Sequence, residues 1–267
     1  MTIKNCLNCE KKLTDKYCSG CGQKADTQRI SLKNFIFHDV LHGTFHIEKG
    51  ILFTGKEAII RPGNAALDYI AGKRIRYYNV FYLILITIGL IIFFHHFSDE
   101  LFLYQGGKVK QDAPNLNEAS KTLNGIFSQK SKIIIFLFVP FAAVNSFLLF
   151  RKKKLNLSEH CIISGMILLG MLLISALGNL FFYLELIIPF SDTFSATISW
   201  SVTALIILHI GFGYYKTFDT DYSKLGISFR ILAFFALICI EIMILFFIVF
   251  GFVTNWKFGI VNVSPFG

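Results

Sequence analysis

Charge is scarce in this sequence. Asp, Glu, Lys and Arg supply 16% of its 267 residues, while apolar residues supply 54%. The mean hydropathy is +0.58. A soluble domain of this length carries more charge on its surface, so a membrane class is favoured. Strict apolar–polar alternation is also missing, which argues against a membrane β-barrel. No apolar core sits beside the polar N-terminus, so no cleavable signal peptide is expected. The first apolar helix would then act as an uncleaved anchor. No nucleophile–base pair, phosphate-cradling glycine loop or dense acidic metal motif is visible, which leaves enzyme status open and leans the reading away from a membrane enzyme.

What is present begins with residues 79–97, NVFYLILITIGLIIFFHHF. About eighteen such residues span about 27 Å as a helix, close to the thickness of a hydrocarbon core. Four further apolar runs follow, and the expected spans are 80–97, 133–150, 161–188, 194–215 and 227–254. The fold class expected is an all-α integral membrane protein with about five transmembrane helices, a small N-terminal zinc ribbon and interfacial amphipathic helices. Thirty Phe residues suit a lipid-facing surface. The net charge of +9 points to anionic lipid headgroups more simply than to nucleic acid.

The head, 1–28, carries Cys6-Leu7-Asn8-Cys9 and Cys18-Ser19-Gly20-Cys21. Each CxxC turns two thiolates toward one point, and two such turns close a tetrahedron. Cys6, Cys9, Cys18 and Cys21 are the candidate zinc ligands. Four thiolates fill the coordination sphere, so the role is structural. Two disulfides are the rival reading, and a reducing cytosol argues against them. A thioredoxin-like motif would need a strand–helix unit that is missing. Cys161 and Cys239 sit in apolar runs and read as small hydrophobes.

Residues 29–79 read as an interfacial segment. Ser31 can cap a helix to about His42 with one apolar face; 51–60 is a second helix, stopped by Arg61-Pro62-Gly63; 65–71 is a third, stopped by Gly72. Lys73, Arg74 and Arg76 beside Tyr77 and Tyr78 resemble a headgroup-depth belt. With Arg61 they are the candidate phosphate ligands. His38-Asp39-Val40-Leu41-His42 mimics the HExxH metal motif, so His38 and His42 form a candidate second metal site. Asp is too short for the usual base, Gly43 ends the helix before His46, and an interfacial helix with His on its polar edge is the simpler account.

The doubled CxxC ending in Cys21-Gly22-Gln23, the RPG turn, and the run from Asp68-Tyr69 through Gly72-Lys73-Arg74 to Arg76-Tyr77 together resemble a family of uncharacterised bacterial membrane proteins common in Bacteroidota, labelled only as a domain of unknown function. The resemblance covers about the first 80 residues. It implies a zinc-ribbon head, a short signature segment and a multi-helix membrane tail. It implies no activity and no catalytic residues.

Lys and Arg alternate across the spans. Residues 1–79 hold 13, the loop from Arg151 to Lys154 holds 4 and 216–230 holds 3, against 5, 0 and 1 in the alternate segments. The positive-inside rule then puts the N-terminus in the cytoplasm and the C-terminus outside an inner membrane, as five spans require. Glu241 lies near the middle of the last span, where a charge costs at least about 2.5–3.5 kcal/mol. Ser175 and Thr203 are expected at its depth, with Asn179 slightly further out. These four are candidate intramembrane polar residues. They form either a solute path or hydrogen-bonded glue between helices.

The expected function is a binding, anchoring or regulatory module whose ribbon and basic collar engage a cytosolic protein or anionic lipid. A small transporter using Glu241 is the alternative from another class. A membrane enzyme acting on a lipid-borne substrate is a third. Nucleic acid is a poor fit to a membrane-tethered ribbon with few aromatics.

Overall fold

A computed structural model describes residues 5–25, 27, 50–104, 122, 123, 125, 135–185, 188, 190–254 and 256. Among them are seven α-helices and no strand longer than an isolated bridge. They are α1 (Gly50–Ile60), α2 (Pro62–Ile70), α3 (Val80–Tyr104), α4 (Phe138–Leu149), α5 (Leu157–Glu185), α6 (Asp192–Phe218) and α7 (Lys224–Thr254). A 3₁₀ turn, Arg151–Lys153, joins α4 to α5.

Four of these helices, α3, α5, α6 and α7, are long and apolar enough to cross a membrane. That is consistent with a membrane protein. The helices overrun the apolar runs that announced them. Helix α3 continues through Ser98 to Tyr104, where the polar composition predicts a loop. His95 and Asp99, one turn apart, pair there at 3.1 Å. The run expected to span at 133–150 yields α4, 12 residues long, which covers only about 18 Å.

Helix α5 is the hub. Residues 162–170 are all buried, so this stretch is surrounded on every side. Helices α1, α2, α3, α4 and α6 all pack on α5. Helix α7 packs on α4 and α6.

In the segment 50–71, α1 and α2 form a hairpin packed against α5, and α2 also against α6. The composition of the buried side explains the packing. Here Thr54, Ala58, Pro62, Gly63, Ala65 and Ala66 are buried. Small residues let backbones approach closely, which is how helices associate in lipid. A side chain at Gly63 would run into the Gly213 carbonyl and Thr217 of α6, and one at Gly170 into His209 and the Ala58 carbonyl. The predicted stop at Arg61-Pro62-Gly63 is therefore the corner of this hairpin.

Polar groups inside the bundle are mostly paired. Ser164 Oγ and Tyr214 Oη lie 3.0 Å apart, joining α5 to α6. Phe150 stacks on Phe218 with ring centroids 4.3 Å apart. The hairpin, the α4–α5 turn and the α6–α7 turn gather at one end of the bundle: Lys153 Nζ donates to the Thr217 carbonyl at 3.0 Å and pairs with Asp221 at 2.9 Å.

Candidate metal centre and the basic end of the bundle

The head consists of one backbone pattern used twice. The amide of Cys6 donates to the Lys11 carbonyl and that of Glu10 to the Cys6 carbonyl, each at 2.8 Å. Cys18, Gly22 and Gln23 repeat both bonds at the same spacing and length. The fourth residue after each leading cysteine is left-handed: Glu10 at φ 62° and Gly22 at φ 77°. Bridges Asn5–Lys12 and Tyr17–Lys24 close the two turns.

These turns bring the four sulfurs together. Cys6 Sγ lies 3.6 Å from Cys21 Sγ, and Cys9 Sγ 3.5 Å from Cys18 Sγ. All four lie within 4.8 Å of one another. An S–S bond is only about 2.0 Å, so these are separate thiols. Around an ion with bonds of about 2.3 Å, tetrahedral geometry sets the sulfurs about 3.8 Å apart, so the cluster fits a metal ion. Backbone amides of Gly20 and Cys21 lower the Cys18 thiol to about 6, favouring its thiolate. The amide of Lys11 lowers Cys9 as well, but the Cys18 thiol and partial desolvation outweigh it and push Cys9 up to about 12.

Gln23 fixes this head to the helical bundle. Its side chain is buried. Its Nε2 donates to the Gly72 carbonyl at 2.7 Å, and its Oε1 accepts from the amides of Arg74 at 3.2 Å and Ile75 at 3.3 Å. The turn it reads ends α2: Gly72 is left-handed at φ 100°, Lys73 donates to the Asp68 carbonyl and Gly72 to that of Tyr69. This is a Schellman cap, which favours glycine at that position. Leu7 packs on Gly72 so closely that a Cβ there would lie 2.6 Å from Leu7 Cδ1. The sequence marks Gln23 only as part of a resemblance. The hydrogen bonds give the reason for it.

Beside this turn, Asp68 gathers cations. Lys73 pairs with it at 3.1 Å, Arg76 at 3.4 Å and Arg61 at 3.7 Å, and the Tyr77 hydroxyl donates to it at 3.4 Å. Arg61 also pairs with Glu57, one turn back in α1, and that bond raises its guanidinium above its ordinary range. Burial first, and then the Asp68 charge, push the Tyr77 phenol up to about 12. Arg74 donates to the Tyr69 carbonyl at 3.3 Å and lies over the Tyr69 ring. The four candidate phosphate ligands are thus close together, and three of them share one carboxylate.

Glu241 of α7 meets Asn145 of α4, whose Nδ2 donates to it at 2.9 Å. Thr203 is exposed on α6 and returns its hydroxyl to the Ser199 carbonyl at 2.9 Å. Ser175 is half-buried. Asn179 lines an apolar cleft of about 250 Å³ with Thr87, Phe94 and Tyr183. The four polar candidates therefore do not converge on one site among the described residues. Ser146 Oγ and His160 Nδ1 lie 2.7 Å apart, a pairing the sequence does not announce. Both are buried, and Phe147 and Phe218 pack against the imidazole, so the pair ties α4 to α5 with no room for a substrate. His38 and His42 lie outside the described residues, as do His46 and the helix expected from Ser31.

A protein-family model described as "Protein of unknown function (DUF3667)" matches residues 48–93. That stretch covers α1, α2, the capped turn and the first half of α3. No curated protein and no solved structure matches the chain.

Proposed function

We propose that this chain is a non-catalytic, five-pass protein of the inner membrane. Its zinc-held head and the end of the bundle beneath it act as one docking unit for a cytosolic protein or anionic lipid. Zinc is the ion that best suits four thiolates in a closed shell. The observation that carries the reading is the Gln23 clamp. A head that served as a free finger would hang from a linker. This one is hydrogen-bonded at three points to the turn that carries Lys73, Arg74 and Arg76. The head, the hairpin and two Lys/Arg-bearing turns lie at one end, which supports a cytoplasmic assignment for that end. With α4 as a fifth, short pass, the C-terminus falls outside.

The contact between Glu241 and Asn145 supports the glue role over a solute path. The test is metal analysis of gently solubilised full-length protein, together with labelling of tags at Met1 and Gly267. One zinc per chain, and tags on opposite sides, are the expected results. Metal-free protein, or tags on the same side, would overturn the reading.

A further inference from the structure

The cations of the basic end fall into two groups. Around Asp68, Arg61, Lys73 and Arg76 each have a carboxylate within ion-pair distance. The turns α4–α5 and α6–α7 differ. Their acids are engaged, Asp221 by Lys153 at 2.9 Å and Asp219 by Lys216 at 3.5 Å. Arg151, Lys152 and Arg230 have no carboxylate partner among the described residues. Lys152 Nζ lies 4.9 Å and the Arg230 guanidinium 4.3 Å from the centre of the Tyr222 ring. The Tyr222 hydroxyl also accepts from the Lys152 amide at 3.0 Å, and Arg230 Nε donates to the Leu149 carbonyl at 3.2 Å. Two like charges are thus held on one ring by contacts that neutralise neither of them. On the same helical stretch as Arg230, Leu225, Phe229 and Leu232 form an apolar stripe on α7 that is 87%, 72% and 68% exposed.

We propose that Lys152, Tyr222 and Arg230 form a binding site for the phosphate of an anionic lipid, with its acyl chains lying along Leu225, Phe229 and Leu232. The charge calls for an anion, and the exposed stripe on the helix that carries Arg230 calls for hydrocarbon. A lipid headgroup at a membrane boundary supplies both. The inference deepens the proposed function and rests on its membrane reading.

The experiment uses full-length protein in detergent, offered phosphatidylglycerol or phosphatidylcholine, with bound lipid counted by native mass spectrometry. Phosphatidylglycerol is expected to be retained preferentially. Lys152→Ala and Arg230→Gln should each reduce its retention about fivefold, the effect of one surface cation. Lys56→Ala, which removes an exposed cation of α1 outside this cluster, should leave it unchanged. Arg230 also holds the end of α4, so thermal melting is measured for each variant, and the exposed Lys152 decides the matter if Arg230→Gln unfolds. Equal retention of both lipids, or unaltered retention in Lys152→Ala, overturns the site. Displacement of the lipid by excess inorganic phosphate overturns the lipid assignment in favour of free phosphate. Flotation with phosphatidylglycerol vesicles separates the two levels. A chain that does not float overturns the membrane reading and this site with it, whereas a chain that floats without discriminating overturns this site alone.

Discussion

The two ends of the bundle are built differently from equally apolar sequence. Toward the head, α5 and α6 are tightly packed: 162–170, His209, Ile210, Tyr214 and Phe218 are buried. Toward the other end, Leu177, Leu180, Leu184, Phe194 and Leu205 are exposed on the same two helices. Helix α7 is the most apolar of the four long helices, yet almost none of it is buried, whereas most of the apolar stretch of α5 is. In lipid, apolar side chains lose nothing by exposure, so hydropathy does not select which surfaces meet. Small residues and polar pairs do. The packed end has Gly63, Gly165, Gly170 and Gly213, and the Ser164–Tyr214 and Ser146–His160 contacts.

This contrast predicts a gradient of mutational effect. The largest is at the head. On the proposed zinc reading, Cys6→Ser with Cys18→Ser should abolish metal binding and unfold the head, because a structural zinc ion contributes about 10 kcal/mol or more to so small a segment. Limited proteolysis should then cut 72–76 while the bundle still enters membranes. Asp68→Asn follows. Leaving Arg61, Lys73 and Arg76 without their carboxylate should cost about 2 kcal/mol, read as a lower melting temperature. Gln23→Ala removes three hydrogen bonds from a buried side chain and exposes three polar groups of the turn. A loss of about 1–3 kcal/mol is expected, and hydrogen exchange at Arg74 and Ile75 should rise with the metal still bound. Glu241→Leu, midway along the gradient, should cost about 0.6–1.7 kcal/mol, the range of a polar contact between helices in lipid. Thr203→Ala on the bare face should shift stability by less than about 0.5 kcal/mol. A Thr203 effect as large as that of Asp68→Asn would erase the contrast.

The cysteine cluster was legible because CxxC spacing is local. Two turns four residues long aim their own sulfurs, and nothing distant is needed. Long helices were equally legible from hydropathy, although their ends were not. Caps such as the Ser191 side chain accepting from Phe194 decide where α6 begins, and the apolar run does not register them. Partners escaped the sequence reading for a different reason. Glu241 was placed by depth with Ser175 and Thr203, but Asn145, across a different helix pair, is the residue that reaches it. Depth follows from counting residues, whereas facing depends on helix rotation. The basic residues show the same limit. Lys73, Arg76 and Arg61 read as available charge because Asp68, seen in the sequence, carries no sign of drawing all three.

The corner at Arg61-Pro62-Gly63 bears on how the chain is made. It emerges from the ribosome long before Gly213 and Thr217, the residues against which Gly63 sits. Until α6 is synthesised, the half-finished hairpin has no lid on that side. The stretch 48–93 that matches the family model is therefore not a module that can be cut out and grown alone, because its walls are supplied by the second half of the chain.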